Sequence, residues 1–315
     1  MLSVVIPAYN EQDNIQNTTK VISNILNNEK IDFEILFIDD GSIDKTWELI
    51  ESICTEKIKG LKFSRNFGKE GAIFAGLSNA KGDCVAVIDC DLQHPPELLI
   101  QMYRLWENGA KVVEAVKSSR GKESLLYKLF AKSFYKMLQS SSGIDLKNAS
   151  DYKLMDRAVV DAINTMPERI TFFRALSSWV GFETVKVEFE VAPRANGTTK
   201  WNFKKLFVFA VKSITSFTNM PMHFMTVMGL IFMVFSVGLG IHTLINFFSG
   251  QALEGFSTVI LLLLIIGSII MIGLGVIGFY LSKIYEEIKF RPRYIISKMT
   301  TVKKQKEENV SGKLR

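Results

Sequence analysis

The stretch Val85-Ala86-Val87-Ile88-Asp89-Cys90-Asp91-Leu92-Gln93-His94-Pro95-Pro96-Glu97 decides how the chain folds. A run of apolar, mostly β-branched residues stops at two aspartates spaced i, i+2, and prolines then lead into a helix-like segment from Glu97. Apolar runs of this kind suit a strand buried on both faces of a parallel sheet. Ligands of open α/β sheets bind just beyond the carboxyl ends of such strands. Two carboxylates held close together in a partly desolvated cleft repel each other. A divalent cation relieves that repulsion, and hard oxygen donors suit Mg²⁺ or Mn²⁺. The alternative is a strand-end turn with two solvated aspartates.

Upstream the same punctuation recurs. Leu2–Pro7 reads as a strand followed by the polar turn Ala8-Tyr9-Asn10-Glu11 and a helix over Asp13–Leu26. Phe33–Ile38 ends in Asp39-Asp40-Gly41-Ser42, a helix spans Thr46–Cys54, and Gly60–Ser64 is a third strand. Gly68–Ala80 is helical, its Gly71, Ala72, Ala75 and Gly76 permitting close packing. This alternation predicts βαβ units and a mostly parallel, doubly wound sheet. The acidic ends of the first, second and fourth strands then share one edge and line one cleft. There is no P-loop and no G-x-G-x-x-G, which disfavours kinase-like and dinucleotide readings.

Further on, Lys111–Val116 is a candidate fifth strand, and Ser118–Ser124 a polar, basic connection. The helix expected over Leu125–Leu138 sets Lys128, Lys132 and Lys136 opposite Leu126, Leu129, Phe130, Phe134 and Met137. It reads equally as a membrane-surface helix or a solvated helix face. Asp151–Arg157 precedes a helix over Ala158–Asn164, Arg169 and Arg174 flank Thr171-Phe172-Phe173, and Phe182–Val191 alternates like a strand.

The second half carries a membrane signal. No Asp, Glu, Lys or Arg occurs between Lys212 and Glu254 or between Glu254 and Lys283. Both gaps exceed the roughly 20 apolar residues that cross a bilayer, predicting spans over Phe224–Phe248 and Phe256–Leu281. An apolar helix face including Phe203, Leu206, Phe207 and Phe217 precedes them and is expected in the interface. From Lys283 onward there are ten Lys or Arg against four Glu. The positive-inside bias puts both termini and the domain ahead of the spans in the cytoplasm. The expected divisions are residues 1–200 (cytoplasmic α/β domain), 201–221 (interfacial helix), 222–282 (two spans) and 283–315 (basic cytoplasmic tail, polar beyond about Met299). Basic flanks next to spans suit anionic lipid headgroups, so charge gives no reason to invoke nucleic acid. Met1 begins directly on a strand-like segment without the pattern of a cleavable signal peptide. Cys54, Cys84 and Cys90 have no metal spacing and fit reduced thiols in the cytosol.

Taken in order, Pro7-Ala8-Tyr9-Asn10-Glu11, Asp39-Asp40-Gly41-Ser42 and Asp89-Cys90-Asp91-Leu92-Gln93 resemble the motifs of family-two glycosyltransferases with the GT-A fold. Ser118–Ser124, Asp151–Asp156, Arg194–Lys200 and the paired spans narrow the resemblance to polyisoprenyl-phosphate glycosyltransferases, the group of bactoprenol glucosyltransferase and dolichol-phosphate mannose synthase. The resemblance covers about residues 2–290. It implies a GT-A domain with helices on both sheet faces, and inverting transfer of a sugar to a lipid phosphate at the inner leaflet of the cell membrane. UDP-glucose is the favoured donor, ahead of UDP-galactose, UDP-N-acetylglucosamine and GDP-mannose, and undecaprenyl phosphate the acceptor. It also implies a homo-oligomer, with a tetramer favoured.

By the same resemblance Pro7, Tyr9 and Glu11 hold base and ribose with Asp40 assisting, and Asp89, Asp91 and Gln93 bind Mg²⁺ or Mn²⁺ and the donor diphosphate. Arg120 and Ser124 match an acceptor loop, Asp151 an acidic residue near the donor sugar, and Arg194 and Lys200 basic groups near phosphates. Asp151 is expected to position the sugar, with proton acceptor or helix N-cap as other readings. Two departures stand out. Cys90 replaces the usual Ala between the aspartates and is expected to be oxidant-sensitive. His94 is expected as a surface turn residue rather than a metal ligand.

Among rivals, a processive polysaccharide synthase usually carries Gln-x-x-Arg-Trp and more spans. A silent nucleotide-sugar-binding scaffold is disfavoured by the intact Asp89, Asp91 and Gln93, and a transporter by two spans without intramembrane charge.

Overall fold

The computed structural model describes residues 1–117, 150–166, 172–189, 220–249 and 255–301. They fall into two units: residues 292–301 group with the described part of 1–189, and two long helices form the other.

The first unit is built on an eight-stranded sheet. Its strands are β1 (Leu2–Ala8), β2 (Phe33–Asp39), β3 (Ile58–Phe63), β4 (Cys84–Val87), β5 (Val112–Lys117), β6 (Lys153–Asp156), β7 (Thr184–Phe189) and β8 (Ile296–Met299). Their order is β7-β5-β6-β4-β1-β2-β3-β8. β4, β1, β2 and β3 run parallel, with Val4 opposite both Ile35 and Ala86. β6 is antiparallel to β4 and β5, while β8 is antiparallel to β3. This mixed, mostly parallel sheet is the GT-A arrangement that the sequence resembles.

Helices α1 (Ile15–Asn28), α2 (Thr46–Ser52), α3 (Lys69–Asn79), α4 (Leu98–Glu107), α5 (Arg157–Thr165) and α6 (Phe173–Trp179) cover both faces. Ile15, Ile22 and Leu26 of α1, Trp47 and Ile50 of α2 and Leu99 and Met102 of α4 pack with Val4, Ile6, Ile35 and Ala86 in one core. Ala72–Leu77 of α3, Val159, Val160 and Ile163 of α5 and Phe173 of α6 form the other, with Val5, Leu36 and Val87. Each fully buried aliphatic side chain contributes about 1.5–3 kcal/mol. β1 is buried along nearly its whole length because both neighbours and both helical layers cover it. Gly76 lets α3 approach it: a Cβ there would lie 2.1 Å from Val5 Cγ1.

Three elements escape the sequence reading. β6 hides behind the charged ends of Lys153-Leu154-Met155-Asp156. Lys153 is nonetheless buried, its Nζ 3.1 Å from Glu114 Oε1 and donating to Ser177 Oγ at 2.8 Å. β8 lies in the stretch read as a basic tail, where Tyr294 stacks on Phe63 at 5.2 Å. α6 follows the Thr171-Phe172-Phe173 cluster. The N-cap reading of Asp151 is corrected, since Asp156 caps α5 by accepting from the Ala158 N–H at 3.1 Å.

The second unit contains α7 (Met220–Phe248) and α8 (Phe256–Ile288). Each has a stretch long and apolar enough to cross a membrane, Phe224–His242 and Ile265–Ile288, with no residue of either stretch buried. α8 continues past the expected end at Leu281 to Ile288. The helices expected at Leu125–Leu138 and around Phe203–Phe217, and the tail beyond residue 301, lie outside the described residues.

Candidate active site

The carboxyl ends of β1, β2 and β4 and the start of α3 surround a cleft of about 320 Å³. Its walls include Pro7, Tyr9, Glu11, Asp40, Asn66, Lys69, Asp89, Cys90 and Asp91. The loops after β1 and β2 are stapled together. The Asn10 N–H donates to Ser42 Oγ at 2.9 Å, the Ile43 N–H to Asn10 Oδ1 at 3.1 Å and the Glu11 N–H to Thr46 Oγ1 at 2.9 Å. Gly41 is required here: its φ is +71°, and a Cβ would lie 2.5 Å from the Arg65 carbonyl carbon. Asp40 accepts from the Phe67 and Gly68 N–H groups at 2.6 and 2.9 Å. The second strand's acidic end thus shapes the loop that delivers Lys69.

Lys69, the first residue of α3, bridges two carboxylates. Its ammonium lies 2.5 Å from Asp89 Oδ1 and 2.9 Å from Asp151 Oδ2. Asp151 is also gripped by the Arg174 fork, with Nε to Oδ1 at 2.7 Å and Nη2 to Oδ2 at 3.0 Å. The neighbouring Glu70 accepts from the Phe173 N–H at 2.8 Å, tying α3 to the start of α6.

The electrostatics follow from this layout. Burial alone would raise the Asp151 carboxyl, but Arg174 and Lys69 outweigh it and hold the group well below the usual carboxylate range. Burial tends to lower the Lys69 ammonium, and Asp89 with Asp151 raises it above its ordinary value. Glu11 moves up, chiefly by burial, with Asn14 opposing and the Asp91 and Asp89 charges adding. Asp40 also moves up by burial, against the pull of its two amide donors. Burial lifts Glu70 to about 7, countered by the Phe173 N–H and aided by Asp151.

Glu11, Asp89 and Asp91 together make an acidic wall of hard oxygen donors. Among the described residues no three metal-binding side chains converge as a closed cage. Two carboxylates with open positions fit Mg²⁺ or Mn²⁺, ions that take one or two carboxylates and complete their shells with water and phosphate oxygens. The Lys69 ammonium on Asp89 shows that this wall accepts a cation.

The cleft brings together Pro7, Tyr9, Glu11, Asp40, Asp89, Cys90 and Asp91, and Lys69 links it to Asp151. Gln93 is not among its lining residues; its backbone N–H donates to Asp91 Oδ1 at 3.1 Å. Arg120, Ser124, Arg194 and Lys200 lie outside the described residues. Two expectations are corrected. His94 is no surface turn residue: it is buried, packed on Tyr152 and Phe189 with centroids 5.4 Å away, and 3.9 Å from Asp89. Cys90 is buried too, and its thiol is pushed by burial to about 12, so the thiolate that oxidants attack is suppressed. Sequence reasoning missed Asn66, Lys69, Glu70 and the partnership of Arg174 with Asp151. The signal for the first three is the polar run Arg65-Asn66-Phe67-Gly68-Lys69-Glu70 just past β3.

Residues 3–163 match the model of glycosyl transferase family 2. The chain is 40% identical over 300 residues to an uncharacterized glycosyltransferase of Synechocystis, covering 94% of each. It is 37% identical to a prophage bactoprenol glucosyl transferase homolog of Escherichia coli, covering 95% of this chain and 99% of that one. It is likewise 37% identical to the bactoprenol glucosyl transferase of Shigella phage SfII, covering 94% and 97%. Among solved structures, glucosyl-3-phosphoglycerate synthase from Mycobacterium tuberculosis aligns with a TM-score of 0.47 at 21% identity, over 68% of this chain and 76% of that one.

Proposed function

The chain belongs to glycosyl transferase family 2 and is a glycosyltransferase, and from that premise we propose that it transfers glucose from UDP-glucose to undecaprenyl phosphate, with inversion, at the cytoplasmic leaflet of the cell membrane. The observation that carries the proposal is the near full-length similarity to bactoprenol glucosyl transferases. The acidic cleft supplies chemistry that agrees with it. On this reading Pro7, Tyr9 and Glu11 hold the nucleoside, and Asp89 and Asp91, with Gln93 beside them, hold Mg²⁺ or Mn²⁺. Held there, such a cation would supply positive charge for the departing diphosphate.

The residues have little proton transfer to perform. A phosphate monoester has a second pKa near 6 and is largely dianionic at neutral pH. One of its oxygens attacks the anomeric carbon, the bond from that carbon to the UDP oxygen breaks, and UDP leaves with the electron pair. Asp151, held ionised by Arg174 and Lys69, is a poor base and a good fixed acceptor for sugar hydroxyls. Arg120, Arg194 and Lys200 are assigned to phosphate clamping, where the arginine fork matches phosphate oxygens, and Ser124 to the acceptor loop.

An isoprenoid tail costs about 0.8 kcal/mol per CH₂ to draw from the bilayer, so the enzyme works at the membrane. α7 and α8 are assigned as two spans with both chain termini and residues 1–200 cytoplasmic, 201–221 interfacial, 222–282 spanning and 283–315 cytoplasmic. A homo-oligomer, tetrameric by family likeness, completes the reading.

The test incubates the full chain in detergent with undecaprenyl phosphate, Mg²⁺ or Mn²⁺, and labelled UDP-glucose, UDP-galactose, UDP-N-acetylglucosamine or GDP-mannose. A glucosyl lipid with UDP-glucose is expected. Preference for another donor corrects the sugar, and absence of glycolipid from every donor refutes the proposal.

A further inference from the structure

We propose that Lys69 is a built-in counter-cation that competes with the divalent metal for Asp89 and thereby makes metal binding depend on the nucleotide donor. The inference rests on the metal reading of Asp89 and Asp91 given above. Three observations carry it. The ammonium sits 2.5 Å from Asp89 Oδ1, on a carboxylate that the metal would use. A second resting place is already present at Asp151 Oδ2, 2.9 Å away, and the Arg174 fork fixes it independently. The main chain beside Lys69 is pinned by the two amide bonds to Asp40, while its flexible four-carbon stem leaves the ammonium free to pivot.

A metal ion arriving alone must displace a like charge from a partly desolvated carboxylate, which opposes binding. Arrival of a diphosphate adds negative charge to the cleft and offers the ammonium new acceptors beside Asp151. Lys69 then yields Asp89 to the metal. Metal and nucleotide therefore assist each other, and by linkage the assistance is equal in both directions.

The experiment titrates Mn²⁺ alone, followed by electron paramagnetic resonance, into the full chain in detergent, and repeats the titration with UDP. Lys69→Gln is expected to bind Mn²⁺ alone about tenfold more tightly than wild type, with the gain from UDP reduced by a similar factor. Lys69→Arg, which keeps the charge, restores weak binding of Mn²⁺ alone. Asp151→Asn, which leaves Lys69 on Asp89, weakens Mn²⁺ binding, and in the Lys69→Gln background that weakening largely disappears. A merely structural role would move affinities in one direction and track thermal stability. Affinities for Mn²⁺ alone within about twofold in wild type and Lys69→Gln would overturn the competition while leaving the metal site intact. No Mn²⁺ binding by wild type even with UDP would instead remove the metal reading itself.

Discussion

Beneath Asp151 and Arg174 lies a buried ion pair whose disruption has a calculable outcome. Glu114 of β5 and Lys153 of β6 face each other across the antiparallel ladder, with side-chain exposures of 5% and 1%. Glu114 Oε1 also accepts from the Ser150 N–H at 3.2 Å, and Lys153 donates to Ser177 Oγ on α6, the helix that carries Arg174. Replacing Lys153 by Met removes one charge and strands the other. Breaking a buried pair in this way costs about 3–5 kcal/mol, much of it the penalty on the abandoned ion. For a domain of this size that corresponds to a drop of about 10 °C in Tm. Glu114→Gln combined with Lys153→Met keeps an acceptor for the Ser150 N–H and removes both charges. It is expected to recover most of the stability, to within about 1.5 kcal/mol of wild type. The assay is thermal unfolding of the full chain in detergent at several pH values. A Tm for Lys153→Met within about 2 °C of wild type, or a double variant no better than the single, refutes the reasoning.

Other outcomes follow from single features. The rise of Glu70 from 4.5 to about 7 means the folded protein binds a proton that the unfolded chain has released, so stability falls as pH increases between those values, by at most about 3 kcal/mol. Glu70→Gln should flatten that part of a Tm-against-pH curve. Gly76→Ala places a Cβ 2.1 Å from Val5 Cγ1 and should destabilise by about 1–3 kcal/mol, measured as the same thermal shift. Cys90 in the folded chain should resist iodoacetamide near neutral pH, and labelling as fast as that of an exposed thiol would contradict its burial. Asp91→Ala should abolish glycolipid formation in the proposed assay, while retained transfer would remove Asp91 from the metal reading of the cleft.

Much of the site is legible in the sequence because it sits at strand ends. Glu11, Asp40, Asp89 and Asp91 each follow a short apolar run, and the rule that ligands gather at those ends applies strand by strand. The Lys69–Asp151–Arg174 cluster has no such local mark, since its members are 82 and 23 residues apart in the chain. β6 and β8 were missed because strands of four residues each, bearing lysines, lack the apolar alternation that identifies a longer strand. His94 reads as solvent-facing because it is polar and precedes two prolines, whereas Tyr152, just ahead of β6, and Phe189, at the end of β7, close over it.

The order of residues alone determined a parallel α/β core, acidic strand ends facing one edge and two helices long enough to cross a bilayer. These depend on periodicity and charge counted along the chain. Folding in three dimensions decided which cations answer those acids, which lysine is buried, and that residues 296–299 return to pair with β3. Those outcomes depend on distances between segments far apart in sequence, where burial and ion pairing reset the character of each side chain.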